Sequence, residues 1–195
     1  MQRFLILLLL FPASAVFAQV PARWVIDPVH SQVTFSVSHL KIADISGRFK
    51  TYNATILASK PDFTDADIQF NIDVSSLSTD NEMRDNHLKS DDFFNAENYP
   101  EITFTGKGLK KVNGNKFILT GDLTIRNVTK TVTLDVTYSG TIDDPWGNTK
   151  AGFRIEGVIN RFDFDLKWNN MTDTGTAVAG AEVYLVINLE LALIK

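Results

Sequence analysis

Not one cysteine occurs in the 195 residues. That absence removes disulfides, thiol nucleophiles, iron–sulfur ligation and cysteine–zinc sites together. It also leaves no residue to carry a lipoprotein anchor. The fold must be held by a core alone, which a chain of this length can build. Basic runs are missing too: 19 Lys and Arg stand against 23 Asp and Glu, for a formal net charge of −4. A mildly acidic chain without a cationic stripe is poorly suited to phosphate backbones, so nucleic acid is not expected as a partner. Helical periodicity is scarce, and the chain shows neither a linker nor an internal repeat.

Missing motifs narrow the chemistry further. No Gly-x-Ser-x-Gly elbow and no glycine-rich phosphate loop occur. The three histidines, His30, His39 and His87, fall in no His-x-His or Glu-x-x-His spacing. The acidic stretches 62–67 and 91–92 lack the central Gly and terminal Glu of a calcium loop, and read as solvated loops. No cofactor, no metal and no catalytic residue are therefore expected.

What is present begins with Met-Gln-Arg, an apolar run from Phe4 to Phe11, and small residues ending in Val16-Phe17-Ala18. A basic start, a short apolar core and small residues before a break predict a signal peptide cleaved after Ala18. Residues 19–195 then form one domain, placed in the periplasm. The apolar run spans only about 12 Å as a helix against a bilayer core of roughly 30 Å, so stable membrane insertion is not expected.

Alternation with a period of two dominates the rest. Val33, Phe35, Val37 and His39 point one way; Ile68, Phe70, Ile72 and Val74 repeat the pattern. So do Phe117, Leu119, Gly121, Leu123 and Ile125, then Val132, Leu134, Val136 and Tyr138. Phe153, Ile155, Val158 and Ile159 follow with a break near Gly157, and the last run is Val183 to Leu191. Less regular runs near 47–57 and 101–112 complete about eight strands. Turns are expected at Asn113-Gly114-Asn115, at Asn127–Lys130 and at Asp143–Asn148, where residues tolerant of positive φ gather. Between Thr79 and Asn98 alternation stops, and Asp85–Ser90 predicts one or two helical turns capped by Asp80 or Ser78. The fold predicted is all-β: one eight-stranded antiparallel up-and-down barrel with a short helical insertion. A two-sheet sandwich gives the same alternation, and the pattern alone allows a solid or a hollow interior.

Several motifs then act together. Trp24–Ser31, continuing to Phe35–Leu40, resembles the start of the YceI-like family, as do Arg84–Phe94 and Tyr99–Phe104. Gly121–Lys130 is similar to that family's mid-chain motif, and Asp144–Asn148 with Asn160–Phe164 to its late ones. The resemblance covers nearly all of the chain after Ala18. It implies a lipocalin-like barrel, often periplasmic, that binds a polyisoprenoid or similar long-chain amphiphile. Thr131 stands where the family usually has proline, and Asp165 where glycine usually follows Asp-Phe. A changed turn and an intact pocket are the expectation there.

On that resemblance the expected partner is a long-chain isoprenoid lipid: a polyprenyl phosphate, an isoprenoid quinone or a fatty amide. The expected lining is Phe35, Val37, Phe70, Phe104, Leu119, Leu134, Phe153 and Ile187, with His39 as a hydrogen-bonded wall residue. Arg84, His87 and Arg161 are the candidates for a head group, with Arg154 a further forked donor. Trp168 is expected to border the opening, and His30 to bond a turn carbonyl. Two rivals stand beside this carrier. One is a stress-related barrel with a filled core that acts through protein contacts, and the other is an enzyme acting on a lipid head group. An exposed strand edge would favour a homodimer.

Overall fold

The computed structural model describes residues 20–194. The predicted signal peptide, residues 1–18, lies outside the described residues. Twelve strand segments build eight walls. β1 (Ala22–Ile26) and β2 (Gln32–His39) are two halves of one wall, because both pair with β12 (Ala179–Ile194). β3 (Ala43–Phe49) and β4 (Tyr52–Ala58) form the second wall; β3 pairs with β2, and β4 with β1. β5 (Asp67–Asp73) and the short β6 (Leu77–Ser78) continue as the third, against β4 and β3. β7 (Glu101–Lys107) and β8 (Lys110–Asn113) both pair with β9 (Lys116–Ile125). β10 (Val128–Asp143) and β11 (Thr149–Asn160) lead to β12, and α1 (Glu82–Lys89) is the single α-helix among the described residues.

Every pairing is antiparallel, and all but those of β12 with β1 and β2 join walls that are neighbours in sequence. The seam closes where β12 lies against β1, Trp24 opposite Leu193, while β1 pairs on its other side with β4. Closure rules out the sandwich, which would leave two separate sheets. The alternating residues face inward as expected, and Ala54, Ile56, Phe70, Ile102, Leu119, Leu134 and Leu191 are buried there.

Three local expectations need correction. β11 runs without a break, in continuous register with β12 through Gly157, and Val158 is outward and exposed. The inner row is Phe153, Ile155, Gly157 and Ile159, an unbroken period of two once glycine is counted as a wall position. The β9–β10 turn is Arg126-Asn127, with φ 50° and 61°, while Thr129 and Lys130 already belong to β10. A two-residue hairpin loop whose strands twist correctly needs positive φ at both positions, and only Asn127 suits this intrinsically. The helix is capped by Asn81, whose Oδ1 accepts from the Arg84 amide at 3.0 Å; Asp80 instead accepts from Arg48 at 2.9 Å.

The two departures from the family pattern resolve differently. Thr131 sits inside β10 opposite Asp122 and donates to its carboxylate at 2.7 Å, so no turn is changed there. Asp165 follows a 3₁₀ turn, Arg161–Phe164, and adopts φ 62°. That left-handed conformation is the one glycine adopts without a Cβ penalty, which gives the family's usual residue a backbone reason.

Between β1 and β2 the chain leaves the sheet for Asp27–Ser31, and a compact polar staple holds the interruption. Lys150 Nζ, from β11, lies 2.6 Å from Asp27 and 3.2 Å from Glu190 of β12. His30 Nδ1 approaches the same two carboxylates, at 3.2 and 3.5 Å, and not the turn carbonyl expected of it. The Lys150 hydrogen bond holds the Asp27 carboxyl at about 2, below its ordinary 3.8. A carboxyl that ionises more readily folded than unfolded contributes stability that is full above its unfolded value and is lost as pH falls through the folded one. Lys150→Met is therefore expected to lower the melting temperature at neutral pH. The gap to the parent should narrow between about pH 4 and pH 2. A gap that stays constant over a melting series across that range would show that the pair is not the source.

Candidate functional site

Closing eight strands with mostly medium-sized inward residues leaves their tips short of the axis. The space between them is a cavity of about 380 Å³. An engineered apolar cavity of about 150 Å³ already stays dry and takes benzene. Inner-face residues such as Phe35, Val37, Ile155, Leu185 and Ile187 are only half-buried, although their strands point them away from the barrel's outer surface. Their remaining accessible surface faces the cavity, so the interior is hollow.

One end is shut. The loop between β4 and β5 sends Phe63 inward, 2% exposed, with its ring centroid 5.2 Å from Trp24, 5.0 Å from Phe153 and 5.8 Å from Tyr138. Its acids shape the loop: Asp62 accepts from the Thr64 amide, and Asp65 from the amides of Ser59 and Lys60. Tyr138 ties it down by donating to the Pro61 carbonyl at 3.2 Å. The reading of 62–67 as a merely solvated loop is thus wrong. Its carboxylates serve backbone amides, and a lone Phe between them fills the barrel end.

The other end carries the polar groups. Arg161 is 3% exposed, yet all its hydrogen bonds go to carbonyls: Leu166 at 2.6 Å, Trp168 at 2.7 Å, Gly180 at 2.8 Å and Ala179 at 3.3 Å. Burial lowers its pKa from the usual value, and among the described residues no carboxylate pairs with it. Arg84 donates through Nε to Thr79 Oγ1 at 2.7 Å and through a terminal nitrogen to the Thr79 carbonyl at 2.9 Å. His39 Nδ1 lies 3.0 Å from the Val178 carbonyl, which only accepts, so Nδ1 carries the hydrogen and Nε2 is free to accept. His87 packs edge-on to Trp168 and Phe93, and its Nε2 meets Asp92 at 2.8 Å. Arg84, His87 and Trp168 are half-buried, with one side to the cavity and the other to solvent.

Thirteen of the candidates from sequence line this one cavity: Phe35, Val37, His39, Phe70, Arg84, His87, Phe104, Leu119, Leu134, Phe153, Arg161, Trp168 and Ile187. Arg154 does not; it points outward and pairs with Glu156 at 2.8 Å. Two residues escaped the sequence reading. Phe63 is one. The other is Arg126, whose guanidinium reaches the carbonyls of Phe93 at 2.7 Å, Asp91 at 3.0 Å and Asp165 at 3.1 Å. It clasps the two loops that frame the opening. A basic residue beside Asn127 in a tight turn was its only available signal. Among the described residues one acid–histidine group, Asp27, His30 and Glu190, has metal-like spacing, but it lies on the outer wall and Lys150 already pairs with both of its carboxylates.

Comparison with known proteins agrees with this geometry. A family model described as the YceI-like domain matches residues 24–191. Protein YceI of Escherichia coli O157:H7 is 39% identical over 161 residues, covering 83% of this chain and 81% of the relative. Among solved structures, BcnA of Burkholderia cenocepacia superposes with a TM-score of 0.72 at 26% identity, over 85% of this chain and 98% of its own. A polyisoprenoid binding domain from Saccharophagus degradans shares the fold with a TM-score of 0.66 at 15% identity, over 88% and 98% of the two chains.

Phe63→Ala is expected to destabilise the barrel by about 3–5 kcal/mol, since a buried ring is removed from a site walled by other rings. Equilibrium urea unfolding measures it, and a loss under about 1 kcal/mol would show that the ring does not seal the end.

Proposed function

The chain belongs to the YceI-like family, and on that premise we propose that it is a lipid-binding protein that carries an isoprenoid tail inside its barrel. The observation that carries the reading is an apolar cavity shut at one end by aromatic rings and rimmed at the other by polar groups. Such a shape suits an amphiphile whose tail is long and whose head stays near water. The fold is shared with a domain described as polyisoprenoid binding, which supports the same class of ligand. The protein acts by binding and release, without turnover, in the periplasm after export and removal of residues 1–18.

Magnitudes agree with a reversible carrier. Burying a methylene yields about 0.8 kcal/mol, so forty carbons naively give about 30 kcal/mol. Noncovalent binding saturates near 18–21 kcal/mol, so the area sum overshoots. At about 0.3 kcal/mol per heavy atom a ligand of that size gains roughly 12 kcal/mol, which is nanomolar binding. Such affinity extracts a lipid and still lets it go. Arg161 favours a negatively charged head, because a buried guanidinium satisfied only by carbonyls keeps its charge uncompensated. Polyprenyl phosphate fits that preference better than a quinone or a fatty amide.

Native mass spectrometry of protein purified from the periplasm, followed by organic extraction, is expected to yield one long-chain species per chain. A clean apo mass, unchanged after incubation with geranylgeranyl phosphate, would transfer the reading to a barrel that acts through its outer surface. Phe35→Asp places a carboxylate on the apolar wall and is expected to weaken binding of the same lipid by more than about a hundredfold. Circular dichroism confirms the fold beside it, and undiminished affinity in a folded variant would remove Phe35 from the site.

A further inference from the structure

Four glycines face the cavity side of the sheet without a positive φ that would call for glycine; only Gly121 also has backbone close by, the Thr105 carbonyl oxygen 2.5 Å from where a Cβ would stand. Gly47, Gly106, Gly121 and Gly157 are all absent from the positive-φ positions of the described residues. Glycine within a strand weakens it, because nothing packs and the unfolded chain is freer. What these glycines supply is space. A methyl built on Gly47 would fall 2.3 Å from Phe35 Cζ, and its three nearest neighbours are all atoms of the Phe35 ring. One on Gly157 would fall 2.5 Å from Leu134 Cδ2, and one on Gly121 2.4 Å from Phe104 Cζ. Each large side chain therefore lies flat in a recess of the wall, covering a neighbour's bare backbone.

Phe35 is the decisive case because of where it stands. Its strand pairs His39 with Ala179 at the mouth and Val33 with Ile187 further in, so Phe35 faces Leu185 midway between the mouth and the Phe63 end. On its far side the ring meets Phe49, at 5.7 Å between centroids. Pushed off Gly47 by a methyl, the ring has Phe49 beside it and the sheet behind it, and the free direction is the cavity.

We propose that the Gly47 recess, by holding Phe35 against the wall, sets how far a ligand chain penetrates and so determines chain-length specificity. The proposal rests on the lipid-binding reading. In the parent protein affinity rises with each isoprene unit that reaches deeper wall. With Phe35 turned inward the deep half is cut off, and added units no longer gain burial.

The test titrates geranyl, farnesyl and geranylgeranyl phosphate against the full protein, followed by tryptophan emission. In the parent, affinity is expected to climb along the series by about tenfold or more per unit, the scale set by apolar burial in a pocket. In Gly47→Ala the climb is expected to stop, with geranylgeranyl phosphate bound no more than about threefold more tightly than farnesyl phosphate. Phe35→Leu combined with Gly47→Ala shortens the side chain and is expected to restore it. Should Gly47→Ala fail to fold, Phe35→Trp overfills the same recess and is expected to give the same plateau. A climb unchanged in Gly47→Ala, or a plateau that Phe35→Leu does not relieve, overturns the proposal. A parent that binds no member of the series overturns the lipid-binding reading itself, and the proposal with it.

Discussion

The contact of β12 with both halves of the first wall, β1 and β2, is the constraint on which the remaining structure depends. A sheet of this twist either ends in free edges or closes on itself, and closure removes unpaired backbone from all but short segments. Once the eight walls meet, strand pleat alone decides which residues look inward. No second layer comes to fill the space they enclose. The interior is then as full as its own side chains make it, and here they do not reach the middle. Hollowness follows from closure and side-chain size together, without a dedicated binding loop.

Keeping such an interior open at one end calls for loops that are held and yet stand aside. Two guanidiniums do this at the mouth, and they meet at the neighbouring carbonyls of Asp165 and Leu166. Arg161 collects the carbonyls of the chain returning to β12, and Arg126 those of the α1–β7 connection and of Asp165. Arginine suits this work because its donors are planar and spread, so one side chain satisfies several carbonyls that lack strand partners. The left-handed turn that carries Arg126 is unfavourable for its own backbone, and the clasp offsets that cost.

The fold class, the strand count and the inward rows were legible from period two, because half-burial imposes it wherever a sheet faces a core on one side. The cavity candidates followed from the same rows. What escaped lay where side chains act across the chain and not along it. Phe63 sits in an acidic loop whose composition says solvent, and its burial depends on Trp24, Tyr138 and Phe153 arriving from distant strands. Gly157 hid a regular strand because glycine carries no apolar signal at an inward position. Arg154 and Arg161 were both read as forked donors; the pleat of β11 sends Arg154 outward to Glu156, whereas Arg161 stands one residue past that strand, in the 3₁₀ turn, and is buried.

The ring cluster around Phe63 makes the barrel a vessel with one door. An elongated guest passes its two ends through that door in opposite order: the end that enters first leaves last. A tail that has gone in leaves the head nearest the exit at all times. Any acceptor, whether a membrane or another protein, therefore meets the head before it meets the tail. In the carrier proposed above, hand-over would begin with the polar end, and the tail would follow only when the acceptor has somewhere to put it.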